Sequence, residues 1–408
     1  MKTVAIITEC MLPIPVTKGG AVETMVEYLI KENEKSRNFH FTVFTRAEDE
    51  AKELAKKYLY TDFIFIKPKE GALNRLLTKV SGKAEHLAIY IPSNLEFVDV
   101  LRKLKKLPKQ DAYVFEGGST WMSPIIERIV GKKKLLVHLH WTGKGGKLGH
   151  IRFSHRDKSF RYLLPVSDYI GNMWKDMTGR SKNQIKPFYN CVNIERFDRS
   201  VSDAQLNALR TQLNINEDAH VIVFTGRIIP GKGVRELVDA FMQLNDKKAI
   251  LLVIGSANFG MKTKTQFEQD ILKAAEDSRG KVILTGYVPN DELYKYYHLA
   301  CMAVMPSKLP EACSLVNLEM QAAGLPLIVT KVGGNPEFSN RSAILLENDD
   351  HLTENLRLAM ETLLADPERR QIMSMEGKKF AKYFSIERYY DRFCTIMDEL
   401  KTEDNEGR

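Results

Sequence analysis

A chain of 408 residues with 44% hydrophobic and 27% charged residues is globular, and too long for one ordinary core. Two domains of about 200 residues each are expected. The net charge of +8 comes without a recognition module or interleaved basic and aromatic residues, so nucleic acid is not an expected partner.

In chain order, MKTVAIITECMLPIPV opens with a short apolar run broken by Glu9, which fits neither a signal peptide nor a membrane span. Cys10, Cys191, Cys301, Cys313 and Cys394 form no C-x-x-C pair, which points to a reducing cytoplasm and no zinc site. Short apolar runs at Val4–Thr8, Phe41–Phe44, Phe63–Ile66, Ala112–Phe115 and Leu135–Leu139 read as strands. Those at Val221–Thr225, Leu251–Ile254, Val282–Leu284, Met302–Met305 and Leu327–Val329 repeat the pattern in the second half. Helical patterns at Val22–Asn33, Val234–Leu244 and Leu356–Leu364 alternate with them. Such alternation defines an α/β fold with parallel sheets covered by helices on both faces, here two doubly wound, Rossmann-like domains. The break at PFYNCVNIERF puts the first at residues 1–193 and the second at 194–385.

Two basic stretches stand out. From Leu95 to Lys109 an amphipathic helix places Phe97, Val98, Leu101 and Leu104 on one side and Arg102, Lys103, Lys105 and Lys106 elsewhere. A second stretch runs from Gly143 to Arg161. Both are either solvated faces or a docking surface for an anionic membrane or phosphate-bearing acceptor.

The chemistry gathers in the second half. Gly226 to Lys232 satisfies the first seven positions of a phosphate-cradling P-loop, but Gly233 stands where Ser or Thr would bind magnesium. What remains is Arg227 and Lys232 on a glycine-rich loop before a helix, either an anion site or an exposed turn with two cations. Further on, PSKLPEACSLVNLEMQAAGLP places Glu311 in the loop after a strand, Ser314 as a helix cap and Glu319 on that helix, which stops near Gly324 and Pro326. Such a loop opens at the carboxyl end of a parallel sheet, where ligands bind. Taken singly, Glu311 is a loop acid and Glu319 a helix acid; with Arg227 and Lys232 they form a constellation.

That constellation resembles the retaining group-1 (family 4) glycosyltransferases of the GT-B fold. Glu311 and Glu319 match the family's E-x7-E, and Gly226, Arg227, Lys232 and Gly233 match its G-R-x-x-x-x-K-G. VTKGGAVET, with Gly19 and Gly20, matches the glycine-rich loop after the first strand; His140, VSDYI and NCVNIERF are looser likenesses. Cys313-Ser314 replaces the family's usual Phe-Gly, and Cys191 its usual Gly.

The resemblance implies a hexosyltransferase drawing on a nucleotide sugar, most often UDP-linked, held by the C-terminal domain. The acceptor, a saccharide or lipid-linked saccharide of bacterial surface polysaccharide, would enter through the N-terminal domain. Arg227 and Lys232 would stabilise the leaving diphosphate, Glu311 would hold the donor sugar and Glu319 the ribose. Ser314 and Leu315 would face the donor through backbone amides, Gly19 and Gly20 would let backbone approach the diphosphate, and His140 would contact the sugar. A final helix at about 386–402 would cross back onto the first domain. No D-x-D occurs, so no metal or other cofactor is expected, and the setting is cytoplasmic, on the inner face of the membrane if the basic face docks there. A nucleotide-sugar epimerase, a P-loop NTPase and a non-catalytic sugar-binding module are the rivals.

Overall fold

The structure is a computed structural model. It describes residues 1–86, 91–117, 122–140, 157–257, 264–339 and 342–406, without the side chains of 82–86 and 401–406. The chain forms two compact units, Met1–Asn190 with Ile386–Arg408, and Cys191–Ser385.

The first unit holds β1 (Lys2–Ile7), β2 (Phe39–Arg46), β3 (Thr61–Ile66), β4 (Ala112–Glu116), β5 (Leu135–Leu139) and β6 (Tyr162–Pro165). All pair in parallel, in the order β3-β2-β1-β4-β5-β6. The second holds β7 (His220–Thr225), β8 (Ala249–Ile254), β9 (Val282–Gly286), β10 (Met302–Met305), β11 (Leu327–Thr330) and β12 (Ala343–Leu346). Its order, β12-β11-β10-β7-β8-β9, is the same arrangement read from the other edge. Strands β4, β5 and β10 are buried along their whole length because helices cover both sheet faces, so apart from Glu116 and His138 they are apolar on both sides. In each unit the strand order reverses between two central strands, β1 and β4 or β7 and β10. Outside their carboxyl ends lies the crevice where open α/β sheets take ligands.

Two strands exceed the sequence expectation. Tyr162–Pro165 is four residues long, ends in proline, and forms the sheet edge where a missing N–H is tolerated. Ala343–Leu346 is an edge strand of half-buried residues, too short for an alternating pattern. The basic amphipathic helix runs Leu95–Lys106, capped by Asn94 accepting from the Phe97 N–H at 2.7 Å. It stops at Leu107 because that residue precedes Pro108. Its buried stripe is Phe97, Val100, Leu101 and Leu104; Val98 is half-buried, so Val100 takes the inward position. Residues 143–156 of the second basic stretch lie outside the described residues.

The last helix, Ile386–Glu406, packs in the first unit. Tyr390 donates from its hydroxyl to Asn33 Oδ1 at 2.8 Å, Arg392 Nε donates to the Pro187 carbonyl at 3.0 Å, and the Phe393 ring stands edge-on to Phe39 with centroids 5.3 Å apart. Among the described residues, no helix is long and apolar enough to cross a membrane.

Candidate functional site

In the second unit, the loops leaving β7 and β10 meet at the strand-order reversal. The N–H groups of Lys308 and Leu309 donate to the Gly231 carbonyl at 2.9 and 3.2 Å, fastening one loop to the other. Gly233 caps the helix Val234–Phe241 with φ +68°, and a Cβ there would lie 1.9 Å from the Pro306 carbonyl oxygen. The position therefore requires glycine on both conformational and steric grounds. The Ser or Thr that a P-loop carries at this position has no room here.

This closure brings Lys232 and Glu311 together: Nζ lies 2.5 Å from Oε1, and Ser307 donates to the same oxygen at 2.8 Å. The Glu311 carbonyl accepts from the Gly334 N–H at 2.7 Å, which pins the acid's backbone against the turn after β11. Arg227 follows Gly226 on the same loop, but it is exposed and has no ion-pair partner among the described residues.

Glu319 has a different environment. It lies on the helix Leu315–Ala322 and is only 9% exposed. Burial pushes its carboxyl up to about 7, against the opposing charge of Arg196 and a hydrogen bond to Asn290. Arg196 in turn donates to Asn290 Oδ1 at 3.2 Å. No hydrogen bond or ion pair joins Glu319 to Lys232 or Arg227 among the described residues. Ser314 occupies the N-cap position before Leu315, but its side chain makes no capping bond; its carbonyl accepts from the Asn317 N–H instead. The expected side-chain cap is therefore not formed.

In the first unit, Gly19 and Gly20 precede the helix Ala21–Ser36 with φ +79° and +116°. A Cβ on Gly20 would lie 2.3 Å from Glu23 Oε2, so that glycine makes room for an acid in the helix's first turn. His140 follows β5 directly. Its Nε2 lies 2.7 Å from Glu116 Oε2, and the same oxygen lies 2.9 Å from His138 Nδ1. His138 Nε2 donates to the Phe188 carbonyl at 3.1 Å. Glu116 and His138 are completely or almost completely buried, and the His140 side chain is 10% exposed. Burial opposes ionisation of Glu116, but the charge of His138 and hydrogen bonds from both histidines outweigh it and hold the carboxyl at about 2. Burial lowers His140, and the His138 charge beside it acts the same way.

Glu116 and His138, which join His140 in this buried cluster, were not among the residues expected from the sequence. Their signal was the H-x-H of VHLH: residues two apart share one face of a strand. The parallel register of β4 and β5 then sets Glu116 opposite His138.

Residues 207–380 match the family described as glycosyl transferases group 1. The lipopolysaccharide 1,2-N-acetylglucosaminetransferase of Salmonella typhimurium is 32% identical over 269 residues, 64% of this chain and 65% of that protein. The match thus spans just under two thirds of that relative's length. Two solved structures resemble the whole chain: HepE of Anabaena in complex with UDP (TM-score 0.70, 17% identity, covering 98% of this chain and 100% of that one), and the sucrose-phosphate synthase of Thermosynechococcus elongatus (TM-score 0.76, 17% identity, 99% and 100%). The fold is that of the GT-B glycosyltransferases. The residues that match the group 1 family all lie within the second unit.

Proposed function

We propose that the protein is a hexosyltransferase that moves a hexosyl or N-acetylhexosaminyl group, with retention, from a UDP-linked sugar to a saccharide or lipid-linked saccharide acceptor of bacterial surface polysaccharide. The observation that carries this reading is the Lys232–Glu311 pair at the strand-order reversal of the second unit. The UDP bound in the Anabaena relative and the acceptor class in the Salmonella relative's name support the donor and the setting.

Breaking a sugar–phosphate bond places negative charge on the leaving diphosphate. A preorganised cation beside it lowers that barrier, and removing one such partner typically costs about 10²–10³ in turnover. Lys232 exchanges the carboxylate of Glu311 for the diphosphate when donor enters, and Glu311 then accepts from donor-sugar hydroxyls. Arg227, exposed on the same loop, adds a second positive charge. Glu319 accepts from the ribose hydroxyls, and the backbone at Ser314 and Leu315 faces the donor. Charge stabilisation by Lys232 and Arg227 makes the reaction independent of metal. The acceptor is drawn from the cytoplasmic membrane face, which the basic helix Leu95–Lys106 contacts.

The test is nucleotide release from a panel of nucleotide sugars, with and without a lipid-linked saccharide acceptor. UDP release from one UDP-sugar, accelerated by acceptor, is expected. Release from none of the panel overturns the proposal, and interconversion of donor sugars without acceptor would identify an epimerase.

A further inference from the structure

Three ionisable side chains are buried together at the carboxyl ends of β4 and β5, and their hydrogen-bond partners restrict where protons can sit. His138 Nε2 faces the Phe188 carbonyl, which can only accept, so that nitrogen carries hydrogen. His138 Nδ1 and His140 Nε2 both face one oxygen, Glu116 Oε2. With Glu116 ionised, both nitrogens must donate to it. His140 then carries a proton on Nε2, and burial, which lowers it, favours the neutral form with Nδ1 bare.

We infer that Glu116 and His138 are positioning residues that lock His140 as the neutral Nε2–H tautomer and leave its Nδ1 as a lone-pair acceptor for a sugar hydroxyl. The inference rests on the transferase reading above for the identity of the ligand, but not for the tautomer. His140 Nδ1 has no hydrogen-bond partner among the described residues. A protonated His140 would place positive charge where a sugar develops its own in the transition state. The neutral form instead accepts from a hydroxyl and orients it.

The surroundings fit this division of labour. Glu9, after β1, acts on His140 by its charge, and Glu23, on the helix Ala21–Ser36, is in turn raised by burial and by the charges of Glu9 and Glu116. Among the described residues, Glu116 alone hydrogen-bonds to both imidazoles. The Phe188 ring packs 4.6 Å from the His138 ring and stacks on Tyr389 at 4.2 Å, which holds the buried imidazole in place. Apolar residues of similar volume would stabilise a sheet interior at least as well as a buried charged cluster. The three donor atoms lie within 4.8 Å of one another, as in a metal site. However, the contacts of 2.7 and 2.9 Å are hydrogen-bond lengths. Ligands about 2.0–2.1 Å from a tetrahedral ion stand roughly 3.3 Å apart.

The test is long-range ¹H–¹⁵N NMR on protein labelled at histidine, with signals assigned by His138→Gln and His140→Gln. At pH 7 the expected result is His140 protonated at Nε2 only. Glu116→Gln should abolish the single tautomer of His140 and lower kcat by at least about tenfold with donor KM little changed. Glu116→Asp should keep the tautomer with a smaller loss, and serves should the amide variant fail to fold. His140 protonated at Nδ1, or cationic at pH 7, overturns the inference whatever the activity. So does one equivalent of zinc retained by the wild type and lost in Glu116→Gln. If wild type releases no nucleotide from any donor while His140 shows the expected tautomer, the transferase reading falls and the locking of His140 stands.

Discussion

Lys232 and Glu311 are 79 residues apart, yet they meet with Nζ 2.5 Å from Oε1 because the loops after β7 and β10 are fastened at the Gly231 carbonyl. Both side chains are only 19% exposed, so each charge depends on the other when donor is absent. Lys232→Ala is expected to lower kcat by about 10²–10³, through loss of the charge that faces the diphosphate. Arg227→Ala should have an effect of the same order on turnover. Its exposed side chain has no ion-pair partner among the described residues, so its loss should leave stability within about 0.5 kcal/mol. Steady-state kinetics with thermal melts on both variants separates the two roles, and wild-type turnover in either would remove that residue from phosphate stabilisation.

Gly233→Ala should destabilise the second unit by roughly 2–5 kcal/mol. The change adds left-handed backbone strain of about 1–2 kcal/mol and a Cβ driven into the Pro306 carbonyl. Gly179 also has positive φ, +70°, but nothing lies near its missing Cβ. Gly179→Ala should therefore show the strain alone. Denaturant unfolding of both variants makes the comparison, and equal losses would refute the close approach at Gly233.

Glu319 gives a pH dependence whose sign follows from its raised carboxyl. Its folded value of about 7 exceeds the ordinary carboxyl value of 4.5. The folded state therefore holds the proton between those pH values while the unfolded chain releases it. Stability from this group is fully present below about pH 4.5 and declines as pH rises towards 7, by roughly 3 kcal/mol at 1.36 kcal/mol per pH unit. Glu319→Gln should recover most of that loss at pH 8, little at pH 4, and weaken donor binding at both. A variant equally stable relative to wild type at both pH values would contradict the burial argument.

On the proposed mechanism, in which Lys232 and Arg227 meet the charge on the leaving group, EDTA should leave most transfer activity intact. Complete loss, restored only by magnesium or manganese, would show that a metal bridges the diphosphate.

The basic helix Leu95–Lys106 should bind anionic vesicles weakly and lose them as salt rises. Lys103 donates to the Phe65 carbonyl at 2.7 Å and Arg102 pairs with Asp99 at 3.1 Å, so Lys105 and Lys106 are its available cations. Each is worth about 1 kcal/mol near such a surface. Replacing both by Gln should release the protein from phosphatidylserine vesicles and leave transfer to a soluble acceptor unchanged. Binding unaltered by the double change would assign them to a solvated face.

The α/β character was legible in the sequence because it is written locally. Runs such as VIVFT and LLVHL are continuous and β-rich, and each is followed by a helical period. The glycine-rich loop with Lys232, and the spacing of Glu311 and Glu319, were legible for the same reason. The edge strands Tyr162–Pro165 and Ala343–Leu346 were not, because four residues ending in proline or lying half-buried carry too little pattern.

What the sequence by itself determined is therefore the set of elements and the residue types offered at each strand end. Only the tertiary structure decided which of those residues share an environment. Glu116 faces His138 and reaches His140 through the register of β4 against β5, which no spacing along the chain expresses. Two acids eight positions apart on one loop and helix received opposite fates: Glu311 a cation across the strand-order reversal, Glu319 a buried site that favours its proton. Charge, tautomer and exposure are set by what packs around a group, and those neighbours come from segments far apart in the chain.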